Sequence, residues 1–255
     1  MRPFPILMTL IALNFTPGFA ISRAELAEMM QRGNDAYQAE NYQEAVQAYE
    51  HIVKQGYVSG ELYFNLGNAY YRLGNLGKAI VNYERAKRYL PNSESVNFNL
   101  RLANLNVKDR IDVPPEFFLF QWYRQLVNCT TARTWGAFFT GSLFLTALLI
   151  LLPTILDLHR WQRFSKVLLI ICICLTILLA IPMIVRYQYE TRSNEAIILS
   201  SAVSSLAGPQ PGSTELFIIH AGTKVKVLDE DGDWYKIELI DGKQGWIPAT
   251  DVEKI

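Results

Sequence analysis

Three cysteines, three histidines and a formal net charge of zero exclude several classes of protein before any motif is sought. Cys172 and Cys174 fall inside a long apolar run and Cys129 stands alone ahead of another, so no disulfide framework can be built. The first two read as apolar filler and Cys129 as a partly buried thiol. His51, His159 and His220 belong to three separate segments and offer no metal cluster. Asp229, Asp231 and Asp233 alternate like the start of a calcium loop, but Trp234 stands where that loop needs glycine and Ile240 where it needs its closing glutamate. A pI near 6.8 supplies no basic field for nucleic acid. No phosphate loop, Gly-x-Ser-x-Gly or His-Glu-x-x-His occurs. Neither a catalytic residue nor a metal or cofactor is expected.

What the chain has in quantity is uncharged apolar length. Ala137–Leu156 runs for twenty residues without a formal charge, and Val167–Val185 for nineteen more, thirteen of them Leu, Ile or Val. At 1.5 Å per helical residue each spans roughly 30 Å, the hydrocarbon thickness of a bilayer. Insertion of the second run is favoured by very roughly 4–8 kcal/mol before its polar residues and proline are counted. Helices buried in soluble proteins rarely run so far without a polar stripe. A transmembrane hairpin is therefore expected, with spans 137–156 and 167–185 joined by a loop at 157–166. That loop holds Arg160, Arg163 and Lys166 against Asp157, which places it in the cytoplasm by the positive-inside rule. Ala137, Gly141 and Thr146 offer a small-residue face for the second span. Pro153 and Pro182 are expected to kink the helices. Intramembrane acids and bases, which a transport pathway would want, are absent from both runs.

Residues 1–20 read as a signal peptide: Arg2, an apolar stretch from Phe4 to Leu13, then small residues near Ala20. The same pattern also suits an uncleaved anchor. Either version exports the chain from Ile21 onward, in agreement with a cytoplasmic loop between the spans.

The stretch at 21–110 repeats itself at a displacement of 34 residues. Gly33-Asn34 returns as Gly67-Asn68, Tyr37 as Tyr71, Ala45 as Ala79, Tyr49 as Tyr83, and Phe64-Asn65-Leu66 as Phe98-Asn99-Leu100. This resembles the tetratricopeptide repeat, a helix–turn–helix unit that stacks into an all-α solenoid. Copies are placed at 26–59 and 60–93, with a capping helix at 94–106 where Arg101 replaces the repeated glycine. Such repeats line a groove with the first helix of each pair. Met30, Asn34 and Tyr37, then Phe64, Asn68 and Tyr71, then Phe98, Leu102 and Leu105 stand at i, i+4, i+7 on those helices. Asn amides can pair with a peptide backbone while the apolar members receive side chains. Met30 and Phe64 stand where the family's carboxylate-binding form has lysine. The alternative is that these residues only pack against a neighbouring segment of the same chain.

Val113-Pro114-Pro115 is expected to end the solenoid. The rest of the 111–136 linker is dense in aromatics from Phe117 to Tyr123, which suits an interfacial helix or, equally, a lid folded over the repeat groove. Beyond Arg192 the pattern turns to short β runs at Ala196–Leu199, Lys224–Leu228, Trp234–Leu239 and Gly245–Pro248, with turns at Asp231-Gly232 and Asp241-Gly242. Gly222-Thr223, Trp234-Tyr235 and Gly245-Trp246-Ile247-Pro248 resemble the bacterial SH3 domain, a small five-stranded all-β barrel, over 194–255. Trp234 and Pro248 match half of that domain's proline-peptide groove. The first strand and the late tyrosine do not, since Thr250-Asp251 occupies the latter's neighbourhood. Peptidoglycan or a partner protein are possible ligands of such a barrel.

Taken together, the sequence reads as a multidomain membrane protein, a solenoid and a barrel tethered by a two-helix hairpin. That order resembles the BatE proteins of the Bacteroides aerotolerance group. The resemblance implies a non-catalytic subunit of an envelope complex in the cytoplasmic membrane. Its implied partners are von Willebrand A-domain membrane proteins and a MoxR-type ATPase.

Overall fold

The computed structural model describes residues 22–111, 117–155, 162–191 and 194–255. The expected leader at 1–20, Val113-Pro114-Pro115, the loop segment 157–161 and Arg192 lie outside the described residues.

Five antiparallel helices form the solenoid: α1 (Arg23–Gln38), α2 (Tyr42–Lys54), α3 (Gly60–Arg72), α4 (Leu76–Tyr89) and α5 (Glu94–Leu105). The first helix of each unit starts on serine. Ser22, Ser59 and Ser93 accept from the backbone N–H of Glu25, Leu62 and Val96, satisfying a donor that the helix cannot. Ala45, Tyr49, Leu66, Ala79 and Tyr83 fill the space between successive helices. On one side of the stack, the Tyr70 hydroxyl donates to Glu50, and Lys78 Nζ donates to that hydroxyl at 3.3 Å, tying α2, α3 and α4 together.

After α6 (Phe118–Asn128) come α7 (Ala132–Ile155) and α8 (Gln162–Thr191). Both long helices outrun the expected spans, and Lys166, expected in the loop, lies within α8. Each contains a window long and apolar enough to cross a membrane, with only 11% and 17% of those windows buried inside the protein. The pair therefore exposes its apolar surface rather than serving as a soluble core. Its contact differs from the expected small-residue face: Ala137 is exposed and a Cβ on Gly141 would meet open space. The helices are instead joined by a buried hydrogen bond of 2.7 Å between the Ser142 and Thr176 hydroxyls. Thr176 and Thr146 also bond the carbonyl four residues back on their own helices. Cys129, expected to be partly buried, is exposed.

The C-terminal sheet has seven strands rather than five: β1 (Glu195–Ile198), β2 (Ala202–Leu206), β3 (Glu215–His220), β4 (Lys224–Asp231), β5 (Trp234–Glu238), β6 (Gln244–Pro248) and β7 (Val252–Lys254). All pairings are antiparallel, in the order β3-β2-β6-β5-β4-β1-β7. Strands β2, β3 and β7 escaped the sequence pattern; β2 and β3 flank the Gly- and Pro-rich loop at 207–214, and β7 has only three residues. Ala196, Ile198, Val225, Ile237 and Ile247 form the barrel core.

The barrel is docked on the solenoid along α4. Strand side chains alternate between faces, so Ala196 and Ile198 point into the barrel while Ile197, 0% exposed, joins the solenoid core. Leu199, Ile255 and Val107 pack around it. Close approach is set by two glycines. A Cβ on Gly77 would lie 2.7 Å from the Ile198 carbonyl oxygen, and one on Gly222, whose φ is +90°, would lie 2.8 Å from Val107 Cγ2. Three polar clusters frame this seam. Arg85 pairs with Glu253 at 2.7 Å and donates to the Lys254 carbonyl. Lys224 reaches Glu195 at 2.8 Å and Glu84 at 3.4 Å, and these carboxylates lift its pKa against the opposing effect of burial. Asp109, leaving the solenoid, accepts from the His220 backbone N–H, His220 Nδ1 and Thr223 Oγ1, all at 2.7 Å. Lys108 Nζ lies 2.9 Å from His220 Nε2, so a proton on Nδ1 suits both of the ring's contacts.

Burial alone would raise the Asp109 pKa, but the bonds from Thr223 and His220 hold it below the ordinary value of 3.8. A depressed carboxylate stabilises the folded state fully above its unfolded pKa, and that contribution fades as pH falls through the folded value. Asp109→Asn is expected to cost about 1–3 kcal/mol at neutral pH. Denaturant unfolding of the two proteins should also converge as the pH drops below 3.8. Parallel acid profiles would show that this cluster does not hold the barrel.

Candidate peptide-binding groove

The first helices α1, α3 and α5 carry a polar ladder that repeats with the 34-residue displacement. Asn34 Oδ1 accepts from the Tyr49 hydroxyl at 2.8 Å and from Asn65 Nδ2 at 3.1 Å. One repeat later, Asn68 Oδ1 accepts from the Tyr83 hydroxyl at 2.9 Å and from Asn99 Nδ2 at 2.8 Å. Each rung therefore joins the two helices of one unit to the first helix of the next.

The residue before each ladder asparagine makes it possible. A Cβ on Gly33 would lie 2.5 Å from Tyr49 Cε1, and one on Gly67 would lie 2.7 Å from Tyr83 Cδ1. The small residue thus admits the tyrosine ring beneath its asparagine partner. At the third position Arg101 and Leu102 replace the Gly-Asn pair, and both are exposed. The ladder ends there.

A concavity of about 240 Å³ opens over the first rung, lined by Gln31, Asn34, Tyr37, Tyr49, Asn65 and Asn68 among others. Asn34 and Asn68 use their carbonyl oxygens internally and keep their Nδ2 donors for the groove. Asn65 lines the same concavity, and Asn99 holds the equivalent place one repeat on. In the sequence these two stood out only as marks of the repeat; their place one position from the expected Phe64 and Phe98 was the available signal. Tyr71 and Met30 are half-buried, and the Tyr71 hydroxyl accepts from Asn106 Nδ2 at 3.0 Å. Phe64 packs against Tyr83, with ring centroids 6.1 Å apart. The far end is apolar and open: Phe98 is 56% exposed and Leu105 75%, with Leu102 between them. The groove thus grades from amides at α1 to bare hydrocarbon at α5. The aromatic α6 packs on α8.

On the barrel, Trp234 lies opposite Pro248 and Lys236 opposite Trp246 across the β5–β6 pair. Residues directly opposed share a face, so both tryptophans and the proline stand on one side of the sheet, each half-buried. Trp246 adds an aromatic that the sequence reading had not placed there. A 3₁₀ turn at Ala249–Asp251 fills the neighbourhood of the missing late tyrosine. It is tied inward by Asp251, which accepts from the Ser200 hydroxyl and, through its carbonyl, from the Leu199 N–H.

Burial pushes the Tyr49 hydroxyl up to about 12, and the same cause raises Tyr83. A phenol whose folded pKa is raised stabilises the fold fully below its unfolded value near 10 and loses that contribution as pH climbs through 12. Tyr49→Phe is expected to cost about 0.5–1.5 kcal/mol at pH 7. It should also flatten the alkaline loss of stability measured by denaturant unfolding between pH 10 and 12.

A tetratricopeptide-repeat family model matches residues 30–93, and a bacterial SH3 domain model matches residues 206–253. Two solved structures of the C-terminal SH3 domain of Myosin IB from Entamoeba histolytica, one bound to an EhFP10(GEF) peptide, align at 31% identity with a TM-score of 0.16. The alignments cover 21% of this chain and 90% of theirs. No curated protein matches the chain. The chain carries tetratricopeptide repeats and a bacterial SH3 domain, two kinds of module that serve binding, on either side of two apolar helices.

Proposed function

We propose that this protein is a non-catalytic, membrane-anchored adaptor that holds its solenoid and barrel outside the cytoplasmic membrane and captures a protein partner in the solenoid groove. The observation that carries the reading is the docking of the barrel on α4. The solenoid precedes the hairpin and the barrel comes after it, so a direct seam between them requires the two spans to return the chain to the side it left. The export signal read at 1–20 and the basic loop between the spans support the periplasm as that side.

The groove supports a peptide ligand on chemical grounds. Unspent amide donors at its polar end match a peptide backbone, and the exposed Phe98, Leu102 and Leu105 match an apolar side chain or helix turn. By resemblance, the partner belongs to an envelope complex of the aerotolerance type, with von Willebrand A-domain proteins and a MoxR-type ATPase as its other members. A second reading, binding of peptidoglycan, draws on the face shared by Trp234, Trp246 and Pro248.

Phe98→Ser with Leu102→Ser touches only exposed side chains, and such surface changes usually leave stability within about 0.5 kcal/mol. The double variant is expected to fold normally and to lose the partner recovered by crosslinking and pull-down from native membranes. Undiminished recovery, with sedimentation on purified wall material lost in Trp234→Ala, would favour the second reading. Topology is tested separately. Protease added to intact spheroplasts should digest both the solenoid and the barrel, and protection of either one would overturn the shared side.

A further inference from the structure

Helix α6 carries more apolar surface than its packing uses. One side looks inward: Phe117, Phe120, Tyr123 and Val127 line a cavity of about 890 Å³ beside the end of α4. At 3.6 residues per turn, the side facing away holds Phe118, Leu119, Trp122 and Leu126. These four are exposed by 65%, 51%, 63% and 41%. Phe118, Trp122 and Leu126 stand at i, i+4, i+8 with Leu119 beside them, so they form one stripe, edged by the exposed Gln121 and Gln125.

A contiguous apolar stripe left bare marks a contact with protein or with lipid. The position of α6 decides between the two. Its last turn is tied to both long helices where their uncharged runs end. Trp135 Nε1, just ahead of the run that opens at Ala137, donates to the Val127 carbonyl at 3.1 Å. Arg186, the first charge after the run that closes at Val185, donates to Asn128 Oδ1 at 3.0 Å. Both runs therefore reach α6 at one level, and the bare stripe adjoins the exposed apolar surface of the hairpin. Phe and Trp at the end of a span favour the headgroup region, where the indole ring meets hydrocarbon and its N–H meets polar groups.

We propose that α6 lies in the headgroup layer of the membrane, with Phe118, Leu119, Trp122 and Leu126 reaching the acyl chains of the leaflet on the solenoid's side. An amphipathic helix held in this way sits about 5–10 Å deep. It gives the protein a third contact with the bilayer besides the two spans. The solenoid is coupled to that contact, because Asn92, in the turn between α4 and α5, donates to the Cys129 carbonyl at 2.6 Å just past α6. This inference rests on the reading of α7 and α8 as membrane spans.

The test uses the full chain in nanodiscs of phosphatidylcholine and phosphatidylglycerol. A benzoylphenylalanine photoprobe replaces Phe118, Trp122, Gln121 or Phe144, one at a time, and mass spectrometry identifies what it captures on illumination. All four side chains are exposed, and Phe144 lies within the apolar window of α7. Lipid adducts are expected at Phe118, Trp122 and Phe144, with a several-fold drop at Gln121. Equal yields at Gln121 and Trp122 overturn the one-sided contact. Lipid captured at Phe144 but at neither Phe118 nor Trp122 overturns the placement of α6 alone. Crosslinks between two copies of the chain at Trp122, in place of lipid, give the stripe to self-association and overturn the proposal. Absence of lipid at every position removes the membrane reading, and this contact with it.

Discussion

The seam between α4 and β1 is the contact on which the rest of the molecule depends. Two tetratricopeptide units and one added helix are few for a solenoid, because each unit buries its apolar face only against a neighbour. Here the neighbour on one side is the barrel. Ile197, fully buried, together with Leu199 and Ile255, extends the solenoid core across what would otherwise be an open surface of α4. Burying one such side chain is worth about 1.5–3 kcal/mol, a large share of the margin by which a small domain is folded. The polar clusters of Asp109, Arg85 and Lys224 add direction. They fix which face of the barrel meets the helix, while the apolar centre supplies most of the adhesion.

That seam also decides what the hairpin can be. Helix α8 is thirty residues long, about 45 Å, and exceeds the thickness of a bilayer's hydrocarbon core. Its surplus carries Arg186 and Tyr189 up to α4 and ends just before β1, so the apolar run and the strut are one element. Arg186 pins it by donating to Asn128 at the end of α6 and to the Arg88 carbonyl. Solenoid, barrel and hairpin are thereby held at a common junction rather than strung along linkers. A ligand of either module would meet a pre-organised platform, which lowers the entropy lost on binding.

The modules were legible in the sequence; their arrangement was not. The displacement of 34 residues exposed the repeat because Gly33 and Gly67 must admit the rings of Tyr49 and Tyr83, and few other residues can stand there. Uncharged length revealed α7 and α8 for an equally physical reason. Contacts between distant segments leave weaker marks. Ala196-Ile197-Ile198-Leu199 is apolar at every position, where a strand with one wet face would alternate. That continuity was the trace of burial on both faces, by barrel and by solenoid. In the sequence Gly222 marks only the barrel motif, although Val107 Cγ2 lies 2.8 Å from where its Cβ would be. The small residues of α7 misled in the opposite sense: Gly141 faces open space, and Ser142, one position on, makes the contact with Thr176.

In the groove, the residues singled out from spacing and those that the structure brings together overlap only in part, and the difference has a chemical meaning. Spacing along one helix finds side chains on one face, as it found Asn34, Asn68 and the apolar positions around them. It says nothing of which polar atoms are already spent. Each ladder asparagine has given its oxygen to a tyrosine and to the next asparagine, so Asn34 and Asn68 keep only amide donors uncommitted. A lone carboxylate would be held poorly there, because the lysines that would balance its charge are replaced by Met30 and Phe64. The internal ladder thus locks neighbouring units in register and leaves the amide donors of Asn34 and Asn68 uncommitted.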